Sequence, residues 1–343
     1  MGEEKAMRKK LGSLFSPNVV LSGYTLAVFA WFVPWLTIGD ANWVLVLANR
    51  AIVFVFLLIP LLLIFPFLFH QRRPALFLII PGLIVFWLYH PYLLPKIPTS
   101  ISESNTLRVM TYNVLYSNID YDAMAGIIQR NQPDLVALQE VLPQTMEQLQ
   151  KRLQGNYPYS VLGVDKDFGT TAVFSRFPFT YSKVLDLQAP RPATLIKTKI
   201  GDQEIIFIAA HLLAYNLWWT KLKDIPATVM ERTFHQNRQA ALLLDTIAGE
   251  DGIVILGCDC NSYETSSSYR SLDQVLDNSA RNIDMLAAMD FPAGAKRDLY
   301  PWHIDYVWYK GDVVPLGTYK ITDNGGSDHL PVLSIFVIDS MEK

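Results

Sequence analysis

The sequence predicts an α/β domain of layered architecture preceded by an all-α transmembrane segment. Three observations carry this prediction. The 51% apolar content and the mean hydropathy of +0.20 are concentrated in the first hundred of 343 residues. Beyond Thr106 the pattern changes to short β-branched runs alternating with amphipathic stretches, the signature of strands layered against helices. Most of those runs end on a polar residue able to bind a metal or a phosphate.

Three apolar runs, at about 18–36, 43–69 and 75–94, each approach or exceed the roughly 20 residues that cross a bilayer core. "MRKK" would suit the basic end of a signal peptide, but no small-residue cleavage site follows and two further runs do. Residues 1–95 are therefore expected to be a retained three-helix anchor. Lys5, Arg8, Lys9 and Lys10 precede the first run, and Arg72 and Arg73 separate the second from the third. The loop "TIGDAN" has no Lys or Arg. By the positive-inside rule both basic segments are cytoplasmic. The expectation is a multi-pass plasma-membrane protein with a cytoplasmic N-terminus and an extracytoplasmic domain. Arg50 lies within the second run, either snorkelling to the outer interface or offering a cation to a lipid phosphate.

A polar linker, 96–106, precedes the second domain, 107–343. "LRVMTYNV" reads as a strand, "YDAMAGIIQRNQ" as a helix and "DLVALQEV" as a strand running into Glu140. "TAVFSR", "ATLIKTKI", "EIIFIAAHLL", "GIVILGCDC", "IDYVWY" and "LPVLSIFVI" read as further strands, and Glu231 to Ala248 as an amphipathic helix capped by Gly249. The first hundred residues carry 8 Lys+Arg against 3 Asp+Glu, leaving 21 against 29 for the remainder, a balance of −8. A polyanion such as nucleic acid gains little from approaching such a domain non-specifically.

Both cysteines, Cys258 and Cys260, sit in "ILGCDCNS". Two residues apart on a strand, their Cα atoms would be separated by about 6.6 Å, near the upper limit for a disulfide. Too few cysteines exist for a structural zinc site, and a redox pair would want a Cys-x-x-Cys spacing. They are expected to be small buried side chains, with Asp259 pointing to the opposite face.

Candidate functional residues stand at the strand ends: Asn113, Glu140, His211, Asp259, Asn261, Asp305, Asp328 and His329. Glu140 is the best metal candidate, since a hard carboxylate oxygen suits Mg²⁺; the alternative is a solvated strand end. The Asn113 amide could orient the metal or a phosphate beside it. His329 follows Asp328 in "GGSDHLPV", and a nearby carboxylate fixes an imidazole for acid/base work. His235 and His303 have neighbours that suggest no role.

In order, "TYN", "LQE", "H", "DCN", "IDY" and "SDH" resemble the motif set of the endonuclease/exonuclease/phosphatase superfamily, the group related to deoxyribonuclease I. The resemblance covers nearly all of residues 107–338 and departs from the pattern at Cys258, usually glycine, and at His303, often arginine. It implies a four-layer sandwich of two stacked mixed β-sheets flanked by helices. It also implies roles. Glu140 would bind Mg²⁺, or Mn²⁺ in its place, with Asn113 close by and Asp328 in or near the metal shell. Asp305 would pair with His329, which contacts the phosphate. Asp259 would orient or deprotonate the attacking water, Asn261 would fix it, and His211 would stabilise transition-state charge.

The anchor narrows the substrate, because it tethers the site to a leaflet rich in lipid-borne phosphates. Tyr215, Trp218 and Trp219 follow His211; such residues favour membrane interfaces, and ordinary loop packing is the alternative. The expected activity is metal-dependent hydrolysis of a phosphodiester, pyrophosphate or phosphomonoester bond on a lipid phosphate. The expected partner is the lipid bilayer, and no protein partner is indicated. A surface nuclease and a non-catalytic lipid-phosphate sensor are the alternatives.

Overall fold

The computed structural model describes residues 16–93, 106–163, 169–189, 191–217, 220–282 and 303–338. The chain divides into two compact units, Met1–His90 and Pro91–Lys343. The expected linker falls outside the described residues except for Thr106, which opens the first strand.

In the first unit, helix α1 (Pro17–Ile38) begins with proline, whose fixed φ and missing N–H suit a helix start. α2 (Trp43–Phe56) is capped by the Asn42 side chain, which accepts from Leu45 N. It is followed by α3 (Ile59–Leu68) after a 50° bend, so the second apolar run is not one straight helix. Pro60 explains the break, since it can neither donate to nor fit beneath the Phe56 carbonyl. A 3₁₀ segment, Arg73–Leu78, runs into α4 (Ile79–Leu93). Two stretches, Pro17–Ile38 and Arg73–Tyr92, are long and apolar enough to cross a membrane, and the bent pair would be a third. Val28, Trp31, Trp35, Ile52, Phe56 and Ile84 form the core of this unit. A buried polar chain that the sequence did not reveal joins it: Trp31 Nε1 donates to Asn49 (2.8 Å), whose amide donates to Asp40 (2.6 Å).

The second unit contains, among the described residues, two six-stranded sheets. The strands are β1 (Thr106–Asn113), β2 (Leu135–Val141), β3 (Tyr159–Leu162), β4 (Thr170–Ser175), β5 (Phe179–Leu185) and β6 (Ala193–Ile200). They continue with β7 (Gln203–His211), β8 (Ile253–Asp259), β9 (Asp277–Asn278), β10 (Asp305–Lys310), β11 (Val313–Lys320) and β12 (Val332–Ile338). One sheet runs β11-β12-β1-β2-β4-β3 and the other β5-β6-β7-β8-β10-β9. Each is mixed, with one parallel pair at its centre, β1/β2 in the first and β7/β8 in the second. Helices α5 (Tyr121–Asn131) and α7 (Ile225–Ala248) are the crossovers between those pairs, while α6 (Pro143–Leu153) and α8 (Ser267–Asp273) complete the outer layers.

The layers follow from burial on both strand faces. On β7, Ile205, Phe207 and Ala209 pack between the sheets with Val109, Ala137 and Val307, whereas Ile206 and Ile208 pack outward with Leu243 and Ile247 of α7. Met110, Val136 and Leu138 likewise meet Met124, Ile128 and Leu149 of α5 and α6. Strands covered on both sides read as continuous apolar runs, which is why they were legible. At Gly257 the two sheets approach closely: a Cβ there would lie 2.6 Å from Ala137 Cβ and 3.2 Å from Thr111 Cβ. The architecture is the expected four-layer sandwich.

Two expectations need correction. α7 starts at Ile225 rather than Glu231, because Pro226 opens it, although it ends on Gly249 as expected. Cys258 and Cys260 are joined in a disulfide, with a Cα–Cα separation of 5.1 Å. The strand ends at Asp259, so Cys260 has already left the extended conformation from which the longer spacing follows. Both residues are nonetheless fully buried.

Candidate active site

The central parallel pairs of the two sheets end at the same place. β1 ends on Asn113, β2 reaches Glu140, β7 ends on His211 and β8 on Asp259. Register fixes the neighbours: His211 lies opposite Asp259, and Asp259 opposite Asp305 at the start of β10. Carboxyl ends of adjoining parallel strands are where open α/β sheets assemble sites. The sequence-predicted residues from six separate segments thus converge, with Asn113, His211, Asp259, Asp305 and His329 all buried.

Asp259 is the hub. Its Oδ2 accepts from Asn113 Nδ2 at 2.9 Å and lies 3.1 Å from His211 Nε2 and 3.9 Å from His329 Nε2. Its Oδ1 accepts from the Asn261 backbone N–H at 3.2 Å. Asn261 is left-handed (φ 46°), a conformation asparagine tolerates, and its amide donates to the Leu212 carbonyl. Asn113 Oδ1 accepts from Leu115 N (3.0 Å), so both ends of that amide are engaged, one of them in holding Asp259.

His329 Nδ1 donates to Asp305 Oδ2 at 2.7 Å, which turns Nε2 toward Asp259. Its loop is tied to the end of β1. Ser327 Oγ donates to the Asn113 carbonyl (2.7 Å) and accepts from His329 N (3.1 Å), and Tyr112 Oη donates to the Asn324 carbonyl (2.7 Å). Asp328 is half-buried and contributes to raising the His329 pKa, which puts its charge near the site.

Glu140 is half-buried and left-handed, with φ 60°. Its Oε2 accepts from Tyr116 N (3.1 Å) and its Oε1 lies 3.7 Å from Arg191 Nη2 and 4.0 Å from His211 Nε2. Gly169 (φ +76°) presses on it so closely that a Cβ would lie 2.6 Å from the Glu140 carbonyl carbon.

The electrostatics separate the two imidazoles. Burial and then Arg191 push the His211 pKa down, against Asp259. Arg191 Nη1 meets both ring nitrogens of His211, Nε2 more closely than Nδ1, and Nε2 also lies 3.1 Å from Asp259 Oδ2. Burial would also lower the His329 pKa, but the Asp305 and Asp259 carboxylates outweigh it and hold that imidazole protonated. For Asp259, burial would raise the pKa, yet His211, His329 and the hydrogen bonds from His211 and Asn113 hold it well below the usual carboxylate range.

The carboxylates here suit a divalent cation. Ligand atoms of Asp259, Asp305 and His329 lie within 4.8 Å of one another, and of these the two carboxylates offer lone pairs while His329 is protonated. Glu140, Asp259, Asp305 and Asp328 face the Arg191 guanidinium and the His329 imidazolium, an excess of negative charge that a bound cation would neutralise. The expected set of Glu140, Asn113 and Asp328 borders this cluster, with Asn113 engaged by Asp259.

Several participants were not foreseen. Arg191 stands between two prolines just before β6, a position without any motif signal. Gln236 Nε2 reaches the carbonyls of Leu213, Cys260 and Asn261 at 3.1, 3.3 and 2.9 Å. Gln239 accepts from Leu213 N and donates to the Arg191 carbonyl. Trp218 and Trp219 lie outside the described residues. Tyr215 is buried and bonded to Thr233 (2.9 Å), so it packs inward instead of toward a membrane. Arg50 belongs to the first unit, where it is half-buried in α2. His303 packs on Tyr306 and faces Glu264 at 3.9 Å, a packing role as expected.

Residues 110–329, well over half of the chain, match the Endonuclease/Exonuclease/phosphatase family. Comparison with curated protein sequences yields no match. The fold is similar to that of humanized D. rerio TDP2, with TM-score 0.54 and 17% identity over 68% of this chain and 99% of that one. It is also similar to D. rerio TDP2 complexed with single strand DNA product (TM-score 0.54, 18% identity, 67% of this chain and 98% of that one). An endonuclease/exonuclease/phosphatase from Beutenbergia cavernae gives TM-score 0.54 and 20% identity over 68% of this chain and 72% of that one. At these identities the likeness speaks for the fold alone.

Proposed function

The chain belongs to the endonuclease/exonuclease/phosphatase family of metal-dependent phosphoester hydrolases, and we propose that it is a membrane-anchored, extracytoplasmic member that hydrolyses a lipid-linked phosphate with Mg²⁺, or Mn²⁺ in its place. The bond is a phosphodiester, a pyrophosphate or a phosphomonoester. The observation that carries this reading is the buried His211, Asp259, Asp305, His329 constellation at the joined ends of both sheets.

A cation held by Glu140 with the neighbouring carboxylates would act as a Lewis acid on the phosphate oxygens. The protonated His329, fixed by Asp305, donates from Nε2 to the phosphate, where charge grows in the transition state. Asp259 has a depressed pKa and most of its lone pairs occupied, so it suits orienting a water better than storing its proton. Neutral His211 keeps Asp259 ionised and aimed.

The lipid substrate and the membrane topology rest on the apolar helices and on the basic residues Arg72 and Arg73 between the second and third runs. The test compares full-length protein in detergent with Glu140→Ala on polyprenyl pyrophosphate, sphingomyelin, phosphatidylinositol and plasmid DNA, with Mg²⁺ or EDTA. Metal-dependent release from a lipid, lost in the variant, is the expected result. Plasmid nicking without lipid cleavage would favour the nuclease reading, which the solved TDP2 complex with a DNA product makes worth including.

A further inference from the structure

Cys258 and Cys260 clasp the residue between them. Both side chains are fully buried in the outer layer of the second sheet, with Leu243 of α7, Leu272 of α8 and Tyr306. Asp259 points the other way, toward the first sheet, where Asn113 of β1 donates to its Oδ2 at 2.9 Å. The disulfide therefore closes a small ring through the Asp259 backbone, directly behind the carboxylate around which the site is built.

The bridge bears on a choice open to the chain at this point. β10 offers β8 a further pairing. The antiparallel register that sets Asp259 opposite Asp305 sets residue 260 opposite 304, and Cys260 N donates to the Ile304 carbonyl at 2.8 Å. Continued as a strand, the chain would place the two cysteine Cα atoms about 6.6 Å apart, near the top of the span a disulfide tolerates. They stand at 5.1 Å, and Asn261 follows with φ 46°. That turn brings the Asn261 N–H to Asp259 Oδ1 at 3.2 Å. Other ties on it are hydrogen bonds, from Gln236 to the Cys260 and Asn261 carbonyls and from Asn261 Nδ2 to the Leu212 carbonyl. Each is worth about 1 kcal/mol net and opens readily, as the covalent bond does not.

We propose that the Cys258–Cys260 disulfide is a positioning clasp for Asp259, and that the site works at its full rate only while this bond is closed. The proposal rests on reading Asp259 as part of a phosphoesterase site. In the family pattern the Cys258 position is usually glycine, which can form no such bond, so the clasp is a departure from that pattern. Such a bond persists in oxidising surroundings, as on the outer face of a plasma membrane. Opening it takes a reductant. A dithiol supplies two electrons and two protons, the S–S bond breaks, Cys258 and Cys260 become thiols, and the dithiol closes into its own disulfide. The two Cα atoms are then free to separate by roughly 1.5 Å, to the extended spacing.

The test uses full-length protein purified in detergent without reductant. The chain has two cysteines in all, so thiol titration in denaturant reads the bond directly: no reactive thiol is expected before dithiothreitol and two per chain after it. Free thiols before treatment overturn the proposal. Hydrogen exchange followed by mass spectrometry then reads the aim of the turn. In the peptide carrying Asn261, exchange should quicken at least about tenfold on reduction, the worth of one charge-assisted hydrogen bond. Peptides from β1, β6 and α5 should keep their protection. Unchanged exchange at Asn261 overturns the clasp. So does an equal loss throughout the domain, because the bond would then be holding the fold and not the carboxylate.

Turnover of bis(p-nitrophenyl) phosphate at saturating Mg²⁺ supplies the kinetic arm. Reduction should lower kcat at least about tenfold with KM little changed, since a displaced positioning group costs rate before binding. Oxidised glutathione should restore it. Cys258→Ala combined with Cys260→Ala should show the lowered kcat with or without dithiothreitol, which separates the bond from chelation of the cation by the dithiol. A kcat indifferent to reduction, or a fall on dithiothreitol that persists in the double variant, overturns the proposal. Should the double variant fail to fold, wild type decides: activity that returns on reoxidation assigns the loss to the bond, and activity that returns on removing dithiothreitol under argon overturns it. If no ester is hydrolysed while the Asn261 amide loses protection on reduction, the clasp on Asp259 stands and the proposed function falls. Metal-dependent hydrolysis that reduction leaves untouched does the reverse.

Discussion

Gly169→Ala tests whether the strained placement of Glu140 is imposed from below. Gly169 has φ +76°, and a Cβ built on it lies 2.6 Å from the Glu140 carbonyl carbon and 2.8 Å from its oxygen. Two costs follow. A left-handed alanine costs about 1–2 kcal/mol, which for a domain of this size lowers the unfolding temperature by roughly 2–8 °C. The overlap is with backbone, so it is relieved only by moving Glu140, itself held at φ 60°. A displacement of about 1 Å in a positioning group costs on the order of 100-fold in rate. The expected result is a kcat about 100-fold down on bis(p-nitrophenyl) phosphate at saturating Mg²⁺, with a modest loss of thermal stability. A variant that melts several degrees lower yet turns over at the wild-type rate would refute the reasoning, because the contact would then be structural and Glu140 free to recover its place.

Two further outcomes follow from the site. In EDTA-treated protein, His329 has a raised pKa, so its contribution to stability is full below the ordinary imidazole value of about 6.5 and is lost as pH rises through the folded value. Asp305→Asn removes the larger of the two raising carboxylates, and urea unfolding between pH 6 and 9 should show a flatter decline than wild type. Gln236→Ala leaves three carbonyls, those of Leu213 and Cys260 buried and that of Asn261 partly so, without their shared donor and should cost about 2–3 kcal/mol in urea unfolding, with loss of activity as the Cys260–Asn261 turn loosens.

The parts of the fold legible in the sequence are those whose pattern is dictated by burial. β7 and β8 are covered on both faces and read as unbroken apolar runs. β5 and β11 were missed because they are edge strands with exposed positions. In β11, Pro315 and Gly317 flank a break in register, and proline within a run argues against a strand unless it lies at an edge. α6, "PQTMEQLQKRL", buries only one stripe of an otherwise polar segment. β9 has two residues, too few to carry any period.

The site divides along a similar line. Asn113, Glu140, His211, Asp259 and Asp305 were visible because each interrupts or ends an apolar strand, where a polar side chain calls for a reason. Arg191 and Gln236 occupy ordinary surroundings, a proline-flanked turn and a helix rich in polar residues, so composition gives no signal for them. Their importance is set by distance alone: Gln236 meets the Asn261 carbonyl across 25 positions, and Arg191 meets His211 across 20. The same limit misled the reading of the cysteines. A rise per residue holds only while the strand lasts, and Asp259 is its last residue. What ends the strand there also makes the site, since the turn that shortens the cysteine spacing aims the Asn261 N–H at Asp259. The Asp259 carboxylate is therefore held by the departure from regular structure, which is the feature that periodicity cannot report.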